Sequence, residues 1–254
     1  MRLTAELQAA HAVQMSIMPQ SDPEVAGFDI SGICIPANEV GGDFYDYMWF
    51  NADRTVFGIA VGDVAGKAMK AAMIAVMSNG MISSRSILPG TTAEILTQLN
   101  GPMHDKTEEG MFTALCLASL VTNTNELIFT NAGFNSPLHK TNGTARLIDN
   151  DGSRLPLGTI RDTSYVETKI QLQHGDVIVF FSDGIPDARN KAEEFYESET
   201  LLELLQRMDT RSLSAREIKN IIIDDVMRFS GKAPQNDDMT VVVVKSVAST
   251  SARN

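Results

Sequence analysis

Cysteine is nearly absent from this chain, with only Cys34 and Cys116 in 254 residues. The two stand far apart in apolar, strand-like runs and read as buried reduced thiols rather than a disulfide. Positive charge is also scarce: 21 Lys and Arg face 32 Asp and Glu, for a net charge of −11. The cations are scattered, so no basic patch offsets repulsion from a nucleic-acid backbone, and a nucleic-acid partner is not expected. No apolar run reaches the roughly 20 residues of a membrane span, which argues against membrane insertion. The N-terminus is amphipathic, unlike a secretory leader with its basic segment and apolar core. These absences together lead to the expectation of a cytoplasmic protein. There is no Cys-x5-Arg loop for cysteine-based phosphate chemistry, and His11, His104, His139 and His174 fall in no recognised motif.

With 43% hydrophobic residues, the chain can build one sizeable core, and one large domain is expected. Four aspartates then stand out: Asp43 in Val40-Gly41-Gly42-Asp43, Asp63 in Val61-Gly62-Asp63-Val64, Asp183 in Ser182-Asp183-Gly184, and Asp237 in Asn236-Asp237-Asp238. Each lies where a strand meets a loop, and three have a neighbouring glycine that lets the backbone approach closely. Clustered carboxylates repel one another unless cations lie between them. Hard oxygen ligands without nearby His or Cys favour Mg²⁺ or Mn²⁺. A single Gly-Asp pair is more often a turn than a ligand; four in this arrangement point to a two-metal site for phosphoester hydrolysis.

Periodicity supplies the elements. Leu3, Leu7, Ala10, Val13 and Ile17 share one helical face, ended by Pro19. That helix reads equally well as packed on its own domain or as the end of a signalling or dimerising helix. Strands are expected over 28–35, 43–50, 55–61, 111–121, 126–130, 137–140, 144–148, 165–172, 177–181 and 239–247, with Asn142-Gly143 as the clearest hairpin turn. Helices are expected over 67–88, from Thr91 or Thr92 to about Gly101-Pro102, and over 198–208 and 214–229. Met69, Met73, Met77 and Met81 recur every four residues and are expected to face the core. Lys67 and Arg85 are expected to be solvated cations, with contact to substrate phosphate as the alternative. Strands in runs and helices in groups give an α+β pattern: two antiparallel sheets face to face, covered by helices outside.

The motifs together resemble the SpoIIE-like, RsbU-type branch of the PPM family of metal-dependent protein serine/threonine phosphatases. The resemblance covers almost the whole chain. It is carried by residues 35–46, Gly62-Asp63-Val64-Ala65-Gly66-Lys67, Phe112-Thr113-Ala114, Asn131-Ala132-Gly133, Leu157-Gly158, Ser182-Asp183-Gly184 and Asp237-Asp238-Met239-Thr240. It implies a PPM-phosphatase-like β-sandwich in α-β-β-α layers and two Mn²⁺ or Mg²⁺ ions at one edge. Asp63 would bridge both ions, with the Val64 carbonyl completing one shell. Asp43 would bind one ion directly or through water, and Asp183 and Asp237 would hold the other. Asp46 and Asp238 rank second, as outer-shell or structural groups. Three positions depart from the pattern: Ala68 and Tyr196 where Gly is common, and Phe134 where many relatives have His.

On this reading residues 1–22 are an N-terminal linker or regulatory helix, 23–247 the phosphatase domain and 248–254 a disordered tail. The implied partner is a phosphorylated protein, an anti-sigma-factor antagonist in a bacterial partner-switching pathway. An upstream sensor domain or activator and a homodimer through the N-terminal helix are further implied partners. The alternative from another class is a catalytically silent module that docks a partner at the same acidic edge.

Overall fold

The structure is a computed structural model. It describes residues 2–66, 68–108, 110–150 and 152–248, the side chains of residues 2–5 and 68 excepted. Lys67, with its candidate phosphate contact, and residues 249–254 of the expected tail lie outside the described residues, as do the side chains of Leu3 and Ala68.

Among the described residues, ten strands form two five-stranded sheets. One has the order β1 (Phe28–Ile35), β10 (Met239–Ser246), β9 (Val177–Phe181), β6 (Leu138–Thr141), β7 (Thr144–Leu147). The other runs β2 (Phe44–Trp49), β3 (Val56–Val64), β4 (Thr113–Val121), β5 (Glu126–Ala132), β8 (Thr168–Gln171). Every pairing is antiparallel. Helices α2 (Ala68–Ser86) and α3 (Thr92–Lys106) cover the β2–β8 sheet, and α4 (Glu197–Arg207) and α5 (Ala215–Ser230) cover the other. Helix α1 (Arg2–Ile17) lies against α2. The fold is therefore the expected α-β-β-α sandwich. Among the described residues no helix is long and apolar enough to cross a membrane.

Both faces of the central strands are covered, so β9 and β10 are buried throughout and read in sequence as continuous apolar runs. Ile178, Phe180, Val242 and Val244 point into the sandwich, while Val177, Val179, Val241 and Val243 meet Leu201, Leu205, Ile218 and Ile222 of α4 and α5. Two buried lysines secure that outer layer. Lys140 donates to the Leu205, Gln206 and Met208 carbonyls at the end of α4. Lys245 donates to Thr210, Arg211 and Leu213 in the following loop. A cation at a helix C-terminus is favoured by the helix dipole. Cys34 and Cys116 are buried and unpaired.

Three expectations need correction. Helix α3 does not stop at Gly101-Pro102 but continues to Lys106. An internal proline costs about 3 kcal/mol. Burying a Leu or Met side chain returns roughly 1.5–3 kcal/mol, and Leu99 and Met103 are both buried beside it. Asn100 adds hydrogen bonds to the Ile160 and Arg161 carbonyls. Second, the methionine stripe is not buried in the core: Met73 is 67% exposed, and Met69, Met77 and Met81 are half-buried, with Met81 packed against the core. The inward face of α2 carries Ala71, Ala72, Ala75, Ser78, Asn79 and Ile82, whose mostly small side chains bring the helix close to the sheet. Third, the apolar stripe of α1 is only partly covered: Leu7, Ala10 and Ile17 are half-buried, Val13 is 59% exposed, and the buried residue on this side is Gln14. The Asn142-Gly143 turn is as expected, with φ positive at both residues (48° and 80°), as a type I′ hairpin requires.

Strand directions sort the loops between the two ends of the sandwich. The segments holding Asp43, Asp63, Asp183 and Asp237 adjoin β2, β3, β9 and β10 at one end. The turns at 50–55, 122–125, 142–143 and 172–176 all lie at the other.

Candidate metal centre

The acidic end holds a cavity of about 400 Å³. Its wall includes Asp63, Asp183, Asp237 and Asp238, the Val64 backbone and the Gly41-Gly42 peptide. No Lys, Arg or His lines it among the described residues. Asp43 lies one layer back, 2% exposed, in contact with the Asp63 carboxyl. Its Oδ2 accepts a hydrogen bond from Thr240 Oγ1 at 2.7 Å, and the Ser182 hydroxyl lies close enough to favour its charged form.

Two glycines are needed for close approach. A Cβ on Gly42 would lie 2.6 Å from the Val64 carbonyl oxygen, and one on Gly184 would lie 1.9 Å from the Asp238 carbonyl oxygen. The Val64 N–H donates to the Gly42 carbonyl, closing the Asp43 loop onto β3.

Electrostatics mark the cavity. Burial pushes the Asp63 carboxyl up to about 7, with further upward pressure from Asp183, Asp237 and Asp238. Burial, then repulsion from Asp237 and Asp187, raises Asp183 to about 6. Asp43 is raised well above the usual carboxylate range by burial and by Asp63, against the lowering effect of Ser182 and Thr240. These groups gain from a cation in the cavity, and their donor set is all hard oxygen, which fits Mg²⁺ or Mn²⁺. Among the described residues, no three His, Cys, Asp or Glu side chains are grouped closely enough to hold one ion. The carboxylates surround the cavity instead of closing on a single point.

The second-ranked pair separates. Asp46 faces α2, where it accepts hydrogen bonds from Ser83 and from the Tyr47 N–H, and does not line the cavity. Asp238 does line it. Arg85 is spent on Gln98 and the Leu88 and Pro89 carbonyls beyond α2. His139 is buried against Asp176. Sequence reasoning passed over Ser182 and Thr240, although both lie inside quoted motifs, and over Asn38 and Asn236 on the cavity wall. It also passed over Gln14, whose one signal was an amide within an apolar helical stretch.

The sequence profile described as Stage II sporulation protein E (SpoIIE) matches residues 53–247. The chain belongs to the SpoIIE family. It is a protein serine/threonine phosphatase of the PPM class, a family that depends on metal. It is 26% identical over 246 residues to the phosphoserine phosphatase RsbU of Bacillus subtilis (strain 168), covering 96% of this chain and 70% of that protein. Its fold is similar to the SiaA-PP2C domain of Pseudomonas aeruginosa, with TM-score 0.82 and 21% identity over 96% of this chain and 97% of that one. It is also similar to the RsbU and RsbW domains of Rv1364c from Mycobacterium tuberculosis, with TM-score 0.79 and 23% identity over 92% of this chain and 64% of that one.

Two departures from the SpoIIE pattern are structural. Phe134 is buried in the core behind a turn that Asn131 holds through hydrogen bonds to the Phe134 N–H and carbonyl, and it does not line the cavity. Tyr196 stacks edge-on against Phe229 and donates to Asp225, pinning the segment after Asp183 to α5.

The raised carboxyls give a pH signature. An unfolded Asp titrates near 3.9, so between about pH 4 and 7 the folded state holds protons that the unfolded state has released. Stability then falls as pH rises through that window. In EDTA, the melting temperature is expected to be lower at about pH 7.5 than at about pH 5.5, with a flatter slope in Asp63→Asn. Mn²⁺ is expected to raise it more at the higher pH. A melting temperature in EDTA that is level or rising across this range counts against the frustrated carboxylate cluster.

Proposed function

We propose that this SpoIIE-family phosphatase hydrolyses phosphoserine or phosphothreonine on a partner protein, with two Mn²⁺ or Mg²⁺ ions held by Asp43, Asp63, Asp183, Asp237 and the Val64 carbonyl. The observation that carries this reading is the cluster of carboxylates on the cavity wall at the acidic end, with no Lys, Arg or His beside them among the described residues and with Asp63 pushed up to about 7. When bound, the ions supply charge neutralisation for the phosphate dianion and an activated water for in-line attack. Asp63, between Asp43 and the other two aspartates, would serve both ions. Asp43, behind it, would bind one ion directly or through water. Gly42 keeps the Val64 carbonyl open on the cavity side. With no histidine on the described wall, the leaving serine or threonine oxygen takes its proton from water.

The physiological substrate is an anti-sigma-factor antagonist in a cytoplasmic partner-switching pathway. Family membership and the similarity to RsbU support this. Residues 1–22 are the regulatory element through which an upstream sensor domain or activator acts. Support comes from Gln14, which donates to the Gly41 carbonyl and accepts from the Gly41 N–H, two residues before Asp43. His11 meets the Glu39 carbonyl in the same loop. The homodimer forms on the α1 and α2 face, where Ala9, Val13, Met69, Met73 and Val76 line an open apolar groove of about 400 Å³.

Hydrolysis of p-nitrophenyl phosphate and of a phosphoserine peptide is expected with Mn²⁺ or Mg²⁺ and not in EDTA, and Asp63→Ala should reduce it by at least about 100-fold. A wild type that takes up metal and turns over neither substrate would favour the silent docking module. Gln14→Ala is expected to weaken Mn²⁺ affinity several-fold with little change in melting temperature, and unchanged affinity would separate α1 from the site. Met73→Glu is expected to shift the protein from dimer to monomer in light scattering; identical masses for variant and wild type would remove the groove as the dimer contact.

A further inference from the structure

Asp238 follows a proposed metal ligand, yet both of its carboxylate oxygens are directed at the backbone of a distant loop. Oδ1 accepts from the Ala37 N–H at 2.8 Å, and Oδ2 accepts from the Asp43 N–H at 3.3 Å. The residue is 5% exposed. Its backbone serves a second loop: the Asp238 carbonyl accepts from Ser182 Oγ at 3.2 Å and lies so close to Gly184 that no side chain fits there. Two residues on, Thr240 donates its hydroxyl to the Asp43 carboxylate and its N–H to Ser182 Oγ. Residues 238 and 240 therefore grip Asp43 at its N–H and at its carboxylate, while the same segment holds the Asp183 loop.

We propose that Asp238 is a positioning residue that sets the distance between Asp43 and the Asp183–Asp237 side of the cavity, and thereby the spacing of the metal site. The inference rests on the metal reading of that cavity. A fourth carboxylate on the wall adds repulsion to Asp63. Two charge-assisted hydrogen bonds to backbone N–H groups offset that repulsion, each stronger than a neutral bond. Gly41 records the contact in the sequence. A Cβ at position 41 would lie 1.8 Å from Asp238 Oδ2, so the loop closes on this carboxylate only with glycine there. Gln14 holds the same Gly41 peptide from the other side. The loop is thus fixed between α1 and β10.

The test is Mn²⁺ binding without substrate, read from loss of the free-ion electron paramagnetic resonance signal, alongside melting temperature. Asp238→Ala is expected to weaken Mn²⁺ binding by roughly 10–100-fold, the range for partners that orient ligands. Gly41→Ala should do the same in the wild-type background and add little in the Asp238→Ala background, where its clash partner is gone. Asp238→Asn, which keeps the volume and one acceptor, should fall between and serves if Asp238→Ala does not fold. Asp238 variants that melt lower but bind Mn²⁺ as tightly as wild type would overturn the proposal, as would losses from Gly41→Ala and Asp238→Ala that multiply independently. A wild type that takes up no Mn²⁺ would overturn the metal reading itself, and this inference with it.

Discussion

Repulsion among buried carboxylates is the constraint to which the acidic end of this sandwich is built. Two unit charges about 4 Å apart interact by about 4 kcal/mol at an effective dielectric of 20. A whole domain is stable by only about 5–15 kcal/mol, so a few such pairs are comparable with the entire margin. The chain holds them at strand ends of a doubly covered sandwich; β3, β9 and β10 are paired on both sides, and β2, after Asp43, is an edge strand paired with β3. Polar clamps then take up what the core cannot. Thr240 and Ser182 stabilise the Asp43 carboxylate, and Asp238 is satisfied by backbone donors. The same repulsion that burdens the fold is what makes the cavity receptive to divalent cations.

The four aspartates were legible because each occurs beside strand-like sequence and within a short motif, so local pattern and chemistry agree. The sandwich was legible for a similar reason: apolar runs such as Val241 to Val244 fit only strands covered on both faces. What stayed hidden depends on contacts between distant segments. The hydrogen bond from Asp43 to Asp238 spans 195 residues, and that from Gln14 to Gly41 spans 27. No periodicity reports such pairings. The methionine stripe misled for a different reason. On α2 both the methionines and the small residues recur with helical spacing, and spacing alone does not say which face turns inward. The small residues won because they bring the helix nearer the sheet.

The two helical layers are attached by different means. Helices α4 and α5 present large aliphatic side chains to their sheet, and Lys140 and Lys245 draw the backbone around them inward. Helix α2 meets its sheet largely through small residues such as Ala71 and Ala75, with Ile82 as the large buried side chain, and leaves Met73 exposed. Helix α1 reaches the Asp43 loop mainly through polar groups, at His11 and Gln14. One side of the sandwich is therefore anchored by apolar bulk, and the other carries contacts of smaller area that lead directly to the acidic loop.

The separation of the sandwich into two ends has a consequence for how such a chain can change. The turns at Asn51 to Arg54, Thr122 to Asn125, Asn142-Gly143 and Gln173 to Gly175 lie a full strand length from the carboxylates. Loop-closure cost grows slowly with length, so these turns can be lengthened, or host a whole inserted module, while the acidic end keeps its geometry. Novelty in what the protein is connected to can accumulate at one pole while its chemistry is conserved at the other.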